Sequence, residues 1–294
     1  MLHRRLLILA TILIALTPPL VAAPNVSMLQ LRTRSREVGD VPAAQSQLVE
    51  KTVVWDPRKT ALVIIDMWDD HWCKRAAGRT EELAGPMNKF TAEARRRGVL
   101  VVHCPSSCTD FYKETAARRT AIDAPAAKPP RFFSESGNWA WNPLDKSREP
   151  ELPIDDSDSG CDCPERCQTS SPWKRQIATI DIDDRLDAIT DNGQELYNLF
   201  AERGIENVMI CGVHLNMCVL GRPFGIRQMV KLGKNVVLVR DMTDTMYNPG
   251  MRPFVDHFAG TELVVEHVEK YWCPTIESTD LVGGEPFRFA DDAK

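Results

Sequence analysis

The run Val208–Val213 constrains the fold more than any other feature of the chain, because it is apolar and too short for a helix. A run of this kind is typical of a strand that is buried on both faces, as in parallel sheets. A polar turn at residues 214–216 follows it. The next segment, Cys218–Leu232, has helical spacing of apolar residues, although Pro223 and Gly225 weaken the pattern. The sequence therefore predicts a buried strand, a tight turn and a helix that begins at a cysteine.

Cys218 would lie where the backbone N–H groups at the start of a helix point outward. The helix dipole at that position lowers the pKa of a thiol, and the same N–H groups can bind an oxyanion. These properties favour a nucleophilic cysteine. The alternative is a small buried core residue, which is the commoner role for an arbitrary cysteine.

Strands and helices alternate along the rest of the chain. A buried strand Ala61–Asp66, a helix Gly78–Arg97 and a strand Val99–His103 follow one another, with Gly98 at the end of the helix. This order predicts a parallel sheet with a right-handed crossover. The remaining predicted strands are Gln176–Ile182, Asn235–Asp241 and Thr261–Glu266, and the remaining helical segments are Phe111–Arg119, Asp191–Arg203 and Pro253–Phe258. We therefore expect a doubly wound, Rossmann-like α/β domain with a mostly parallel six-stranded sheet and helices on both faces.

Three short motifs stand at the ends of these predicted strands or between them. Residues 65–70 read Ile-Asp-Met-Trp-Asp-Asp, Lys174 lies about forty residues before the cysteine, and residues 212–219 read Gly-Val-His-Leu-Asn-Met-Cys-Val. In this combination the chain resembles the isochorismatase-like cysteine hydrolases, the superfamily that includes nicotinamidases and N-carbamoyl amidohydrolases. The resemblance covers roughly residues 59–273, and Trp68 stands where the family has glutamine.

The resemblance implies a catalytic triad of Asp66, Lys174 and Cys218. Asp66 would take the thiol proton, Lys174 would stabilise the resulting charges, and the Cys218 thiolate would attack a carbonyl carbon. An acyl-cysteine or carbamoyl-cysteine intermediate would then be released by water that Asp66 activates.

The resemblance also implies an unusual turn before the nucleophile. The peptide bond between Val213 and His214 is expected to be cis, and the N–H groups near Met217 and Cys218 are expected to bind the oxyanion. His214 would then project into or beside the pocket. Further candidates for substrate binding are Trp68, His71, His103, Asn216 and Arg222.

The functional prediction is a cysteine-dependent hydrolase that cleaves a C–N bond of a small amide, imide or carbamoyl compound. A catalytically silent small-molecule-binding protein on the same fold is the alternative. Vinyl-ether hydrolysis, as in true isochorismatases, is disfavoured because those enzymes lack a cysteine at the position of Cys218.

No cofactor or metal is expected. Nicotinamidases hold a metal with an Asp-x-His pair and further histidines, and residues 103–110 contain no such pair. His71 and His103 are the alternative metal ligands. The net charge of −5 and the lack of a basic, aromatic stripe argue against a nucleic-acid partner. We expect a small-molecule substrate and a homo-oligomer.

Three arginines, Arg222, Arg227 and Arg240, lie near the nucleophile segment and the end of the next strand. Arginine forks suit a carboxylate substrate. Pairing of these arginines with Asp241 or Asp244 agrees equally well with the sequence.

The N-terminus has the pattern of a secretory signal peptide. Arg4 and Arg5 precede the apolar run Leu6–Leu16, and a small-residue cleavage site ends at Ala23. We expect a periplasmic or secreted protein with no stable membrane span after cleavage, and an uncleaved anchor is the alternative. The expected organisation is a signal peptide at 1–23, a flexible lead-in at 24–50, a hydrolase domain at 51–280 with a Cys/Pro-rich insertion at about 105–173, and a tail at 281–294.

Nine cysteines is a high number for a chain of 294 residues. In an exported protein an odd number suits one free nucleophile plus structural disulfides. Residues 161–167 read Cys-Asp-Cys-Pro-Glu-Arg-Cys. Disulfides from this group to Cys73, Cys104 or Cys108 are favoured over a metal site, because the spacing lacks the usual paired zinc ligands. Cys211, inside a predicted core strand, is expected to be a buried free thiol.

Overall fold

The computed structural model describes residues 27–37, 46–130 and 139–292. The predicted signal peptide lies outside these residues, so its cleavage and the export of the protein stay predictions. Among the described residues, no helix combines the length and the apolar character that a membrane span requires.

One mixed sheet of eight strands forms the centre of the fold. In chain order the strands are β1 Leu29–Glu37, β2 Gln47–Trp55, β3 Thr60–Ile65, β4 Leu100–Cys104, β5 Ala188–Ile189, β6 Asn207–Val213, β7 Asn235–Asp244 and β8 Thr275–Ile276. In space their order is β2-β1-β8-β7-β6-β3-β4-β5. Strands β3 to β8 pair in parallel, whereas β1 is antiparallel to both β2 and β8. The predicted α/β class and mostly parallel sheet are confirmed, but the predicted number of six strands is wrong.

Hydrophobic cores cover both faces of this sheet. In β3 the buried residues alternate, with Val63 and Ile65 in one core and Leu62 and Ile64 in the other. Successive side chains of a strand point to opposite faces, so the two cores lie on opposite sides of the sheet. This two-sided burial is why the strand is apolar throughout rather than alternating.

The described α-helices are α1 Lys74–Arg96, α2 Ala116–Ile122, α3 Gly193–Arg203, α4 Ile226–Lys231, α5 His257–Tyr271 and α6 Thr279–Val282. In α1 the buried residues Leu83, Met87, Phe90 and Ala94 recur at helical spacing and pack into the core below β3. The Asn192 side chain caps α3 by accepting hydrogen bonds from the N–H groups at the start of that helix.

The expected flexible lead-in is wrong for the part that the structure describes. Residues 29–37 and 47–55 form the β1–β2 hairpin, with Leu29 paired to Trp55. Leu29 and Leu31 are fully buried, while Gln30 between them and Arg32 after them are exposed. The period of two was present in the sequence, but the arginines and polar residues at the alternate positions made the segment look unstructured.

Two predicted strands are also wrong. Thr261–Glu266 lies inside α5, where Val264, Val265 and Val268 face the core at helical spacing. Its β-branched residues suggested a strand, and packing against the sheet overrides that preference. Gln176–Ile182 forms only an isolated bridge, from Gln176 to Trp68, and the edge strand is β5 instead.

Three predicted helical segments have different bounds. Phe111–Arg119 is divided between a 3₁₀ turn, Thr109–Tyr112, and α2. The segment Pro253–Phe258 mostly precedes α5, which begins after the capping residue Asp256. The segment Cys218–Leu232 is divided as well, because a π-helical turn, Leu215–Val219, precedes α4.

The insertion at 105–173 is attached to the domain although much of it lacks regular structure. Its Glu149 is buried and accepts hydrogen bonds of 2.7 Å from Arg227 Nε, His267 Nε2 and Trp272 Nε1. Trp139 Nε1 donates to Gln194 on α3. The insertion is therefore tied to two different helices and to the end of α5.

The nine cysteines are all free thiols, so the predicted disulfides are not formed. Cys73 and Cys163 Sγ lie 3.8 Å apart, which far exceeds the length of a covalent S–S bond. Cys211 is fully buried in β6, and its prediction as a buried free thiol is confirmed.

Candidate active site

The site lies where β3 and β6 end next to each other. The two strands pair in parallel, and Ile65 is opposite Gly212 at the carboxyl end of the pair. The chain continues from β3 to β4 on one side and from β6 to β7 on the other. This is the topological switch point at which open α/β sheets form their ligand crevices.

Gly212 allows the two strand ends to approach closely. Its φ of 111° is unfavourable for other residues, and a Cβ atom there would overlap the Ile65 carbonyl oxygen. The next peptide bond, Val213–His214, is cis. The cis bond that the resemblance implied is therefore confirmed.

The turn that carries the nucleophile is held by the His214 carbonyl oxygen. It accepts hydrogen bonds from the N–H groups of Met217 at 3.0 Å and Val219 at 3.1 Å. Because the Met217 N–H is used within the turn, it is not available to bind an oxyanion as predicted. The N–H of Cys218 remains the candidate donor.

Asp66 follows β3 directly and is fully buried. Its φ of 50° lies in the left-handed region, which aspartate tolerates better than most residues. Its Oδ1 accepts a 2.7 Å hydrogen bond from the Ser106 N–H, and its Oδ2 lies 3.4 Å from Arg222 Nε. The Cys218 thiol lies close enough to this carboxylate for the two groups to affect each other's pKa. Burial raises the pKa of Asp66, and Arg222 and Ser106 oppose the increase.

Cys218 is partly exposed as a residue, although its sulfur atom is buried. Its thiol pKa is raised, first by burial of the sulfur and then by the Asp66 charge, with Arg222 opposing both. The lowered pKa that a helix start would produce is therefore wrong. The turn at Leu215–Val219 is only five residues long, so it lacks the extended helix dipole that would oppose burial and the Asp66 charge.

Arg222 supplies the positive charge of the site. Its backbone N–H donates to the Cys218 carbonyl at 3.0 Å, so its side chain lies one turn beyond the nucleophile. The guanidinium carbon lies 5.9 Å from the centre of the Trp141 ring, and a Cβ atom on Gly221 would meet that ring at 2.6 Å. Trp141, from the insertion, therefore packs against the backbone that positions Arg222.

Among the described residues, no hydrogen bond or ion pair joins Lys174 to Asp66 or Cys218. The side chain of Lys174 is exposed, and its backbone N–H donates to Asp69 Oδ1 at 2.9 Å. The charged groups that act on the Cys218 thiol are Asp66 and Arg222. The spacing between Arg222 and Cys218, four residues, could have indicated this cation, because such residues are neighbours on a helix.

A cluster of aromatic rings contacts His214, the first residue of the nucleophile turn. The rings of Trp68 and Trp173 stack at 4.1 Å, and His71 lies 5.0 Å from His214 in an edge-on arrangement. Burial lowers the pKa of His71 to about 4, and its Nδ1 accepts the Cys73 N–H at 3.2 Å. Both observations indicate a neutral imidazole.

His214 is almost fully buried at the turn, and its Nε2 atom has no hydrogen-bond partner among the described residues. Burial lowers the pKa of this histidine well below its usual value, so its ring is also neutral. An unpartnered polar atom beside a nucleophile can hydrogen-bond to a substrate.

Two candidate substrate-binding residues have structural roles instead. His103 is fully buried, with Nδ1 at 2.9 Å from Gln176 Oε1 and Nε2 at 3.1 Å from Asp187 Oδ2. Asn216 exchanges hydrogen bonds with the backbone of Met246 and donates to Asp156, which fixes the nucleophile turn.

The donor set of a nicotinamidase-like metal site is not formed. The two ring nitrogens of His103 are engaged by Gln176 and Asp187, and Nδ1 of His71 is engaged by a backbone N–H. The two histidines therefore do not fit a shared ion at this site.

The other two arginines do not reach the site. Arg227 pairs with Glu149 at 2.7 Å, and Arg240 pairs with Glu277 at 2.6 Å. Neither pairs with Asp241 or Asp244 as the alternative hypothesis suggested.

Several solved structures are similar to this chain. A cysteine hydrolase from Pseudomonas syringae pv. phaseolicola 1448A is 14% identical, with a TM-score of 0.45 over 78% of this chain and 93% of that one. A pyrazinamidase from Pyrococcus horikoshii, solved in complex with zinc, is 15% identical, with a TM-score of 0.40 over 74% of this chain and 99% of that one. An N-carbamoylsarcosine amidase from Thermoplasma acidophilum is 12% identical, with a TM-score of 0.40 over 75% of this chain and 96% of that one. No family model matches the sequence, and no curated protein does so either.

Proposed function

We propose that the protein is a cysteine hydrolase that cleaves a C–N bond of a small amide, imide or carbamoyl compound. Cys218 is the nucleophile, Asp66 the general base and acid, and Arg222 the stabilising cation. The observation that carries the proposal is the fully buried Asp66 carboxylate, which has Arg222 Nε at 3.4 Å and lies close enough to the Cys218 thiol for the two groups to shift each other's pKa. A thiol, a base and a cation close to one another are what acyl transfer through cysteine requires.

In the first step the thiol proton passes to Asp66 as the sulfur attacks the carbonyl carbon. The raised pKa of Asp66 makes its carboxylate a better proton acceptor than an exposed aspartate. One S–C bond forms, and the carbonyl π electrons move to oxygen. The Cys218 N–H is the proposed donor to this oxyanion, and Arg222 compensates the negative charge of the cluster.

In the second step the C–N bond breaks. Protonated Asp66 gives its proton to the leaving nitrogen, so the amine or ammonia departs neutral and an acyl-cysteine or carbamoyl-cysteine remains. Water then attacks the thioester carbon while Asp66 accepts one of its protons. Return of that proton to the sulfur restores the thiol and releases the acid.

The neutral histidines and the indole rings suggest the kind of substrate. His71, His214 and the stacked Trp68 and Trp173 offer a largely uncharged aromatic wall. Such a wall suits a small planar amide, and the unpartnered Nε2 atom of His214 can hydrogen-bond to it.

Intact-mass spectrometry after incubation with a panel of small amides, imides and carbamoyl compounds tests this function. We expect an adduct equal to the acyl group in the wild type, release of amine or ammonia, and neither in Cys218→Ala. Cys273→Ala, which removes a buried thiol in another part of the core, is the matched control and should keep both signals. Binding of panel members without an adduct or turnover would instead support the binding-protein alternative.

A further inference from the structure

Four cysteines from two distant segments meet beside the candidate active site. Cys73 directly precedes α1, whereas Cys161, Cys163 and Cys167 come from the end of the insertion. The sulfur atoms of Cys73, Cys161 and Cys163 all lie within 4.8 Å of one another, and Cys167 packs against the same group. We propose that these four cysteines bind one zinc ion in a tetrahedral structural site.

The sulfur separations fit a metal better than disulfides. Cys73 and Cys163 Sγ are 3.8 Å apart. Four thiolates at Zn–S distances of about 2.3 Å lie about 3.8 Å from each other along the edges of a tetrahedron. A disulfide would need about 2.05 Å between two sulfurs. It would also join only two of the four cysteines, so the other two would have to form a second disulfide.

The sequence hid this ligand set because its members are far apart. Residues 161–167 alone give three cysteines with a C-x-C-x3-C spacing, which is an incomplete zinc motif. Cys73 supplies the missing ligand from 88 residues earlier in the chain. Folding of the insertion back onto the start of α1 therefore completes the set.

The surroundings of the sulfurs suit thiolates. The Arg75 N–H, in the first turn of α1, points to Cys163 Sγ at 3.4 Å. The positive end of the dipole of this 23-residue helix therefore faces the cluster. Backbone donors to metal-bound sulfur are a common outer shell of thiolate zinc sites.

Arg79 fixes the loop between the ligands. It binds Asp162, which lies between Cys161 and Cys163, at 2.8 Å, and it also binds Asp244 at 2.7 Å. The cysteine loop is thus held to the end of β7 without the metal, so the ligands are arranged before an ion binds.

The proposed zinc site would also stabilise the position of residues in the candidate active site. The Cys73 N–H donates to His71, and Met217, next to the nucleophile, packs against the cysteine group. A zinc ion here would lock the end of the insertion against both elements. We infer a structural role because all four ligand positions are filled by protein, which leaves none open for substrate.

The test uses the full chain from exported expression, since an oxidising compartment gives disulfides their best chance to form. We expect one zinc per chain by elemental analysis, and an unfolded mass equal to that of the fully reduced chain. Replacement of zinc by cobalt should give the intense absorption of tetrahedral cobalt thiolates. Cys163→Ser and Cys167→Ser should lower the zinc content at least tenfold, while Cys273→Ser and Cys218→Ala should retain it.

A mass lower by two or four hydrogens, with no metal, would show disulfides and overturn the proposal. Iron in place of zinc would overturn the choice of ion, and free thiols without metal would remove the site altogether. These three outcomes are read from the wild-type chain, so they hold even if the serine variants fail to fold. Retention of zinc in Cys218→Ala separates this site from the proposed catalytic cysteine.

Discussion

Asp66 and Asp244 are two buried carboxylates at the same edge of the sheet, and their surroundings give them opposite properties. Asp66 follows β3 and has one cation, Arg222, at 3.4 Å. Asp244 ends β7 and has two close partners, Arg79 at 2.7 Å and His257 Nε2 at 2.8 Å. Burial raises the pKa of Asp66, whereas at Asp244 the interactions with Arg79 and His257 overcome burial and lower the pKa well below its usual range.

Burial by itself therefore does not determine what a carboxylate does. A buried carboxylate with strong partners stays charged and fixes the structure, as Asp244 does between α1 and α5. A buried carboxylate whose partners are weaker retains affinity for a proton and can exchange it with a neighbour. The neighbour of Asp66 is the Cys218 thiol, which is why this pair, and not the better bonded one, is the candidate for catalysis.

Asp66→Asn should give the largest effect on activity. The amide keeps the size of the side chain and can still accept the Ser106 N–H, but it cannot take the thiol proton. We expect kcat to fall by roughly 10²–10⁴, and the free energy of unfolding to change by no more than about 1 kcal/mol. Turnover and urea unfolding of the same preparation measure both, and an unchanged kcat would remove Asp66 from the mechanism.

Asp244→Asn should show the reverse pattern. Removal of this charge leaves Arg79 with only Asp162 and weakens the bond to His257, in a site that is almost fully buried. We expect the free energy of unfolding to fall by about 3 kcal/mol, while kcat per folded molecule changes much less than in Asp66→Asn. A loss of kcat as large as in Asp66→Asn, without loss of stability, would erase the distinction between the two carboxylates.

Arg222 and Lys174 offer a matched pair of cations. Arg222→Ala should lower kcat by about 10²-fold, because the site loses the charge that offsets the thiolate and the oxyanion. Lys174→Ala should change kcat by less than about twofold, because its exposed side chain is a surface charge. Initial rates of both variants decide the comparison, and the opposite ranking would restore the lysine to the triad.

The two carboxylates should change the stability of the protein in opposite directions as the pH is lowered. The folded pKa of Asp66 lies above its ordinary value of 3.8, so its contribution to stability is present below pH 3.8 and is lost as the pH rises through the folded value. The folded pKa of Asp244 is depressed, so its contribution is present above about pH 3.8 and is lost as the pH falls.

Urea unfolding of the wild type and both asparagine variants between pH 7 and pH 3 measures this difference. The advantage of the wild type over Asp66→Asn should grow as the pH is lowered, and its advantage over Asp244→Asn should shrink. Each pKa unit corresponds to about 1.4 kcal/mol. Parallel curves for the two variants would contradict the opposite shifts.

The sequence predicted the parts of the site that depend on strand ends. The apolar runs before Asp66 and Cys218 marked two buried strands, and the rule for parallel sheets places their ends together. The sequence could not place Lys174 in space, because the only support for a catalytic role of this lysine was its distance along the chain from Cys218. Arg222 is instead adjacent to the nucleophile through local geometry, which the broken helical pattern at Pro223 obscured.

The fold was harder to predict wherever tertiary packing decides the local structure. The alternating residues from Leu29 to Thr33 carried a strand signal that the intervening arginines concealed. The valines of α5 have a preference for strands, and only their burial against the sheet makes them helical. The fourth cysteine of the proposed zinc site, Cys73, lies 88 residues before the first of the other three, and no local pattern connects them.

Glu149 has a consequence for the cooperativity of unfolding. Hydrogen bonds from His267, Arg227 and Trp272 outweigh burial and hold the pKa of this carboxyl at about 2. If the insertion detached from the domain, Glu149 would leave with it. His267 and Arg227 would then stay in a buried site without their carboxylate partner. A segment that resembles a dispensable loop is therefore coupled to the last long helix, and the two should open together as one unit rather than separately.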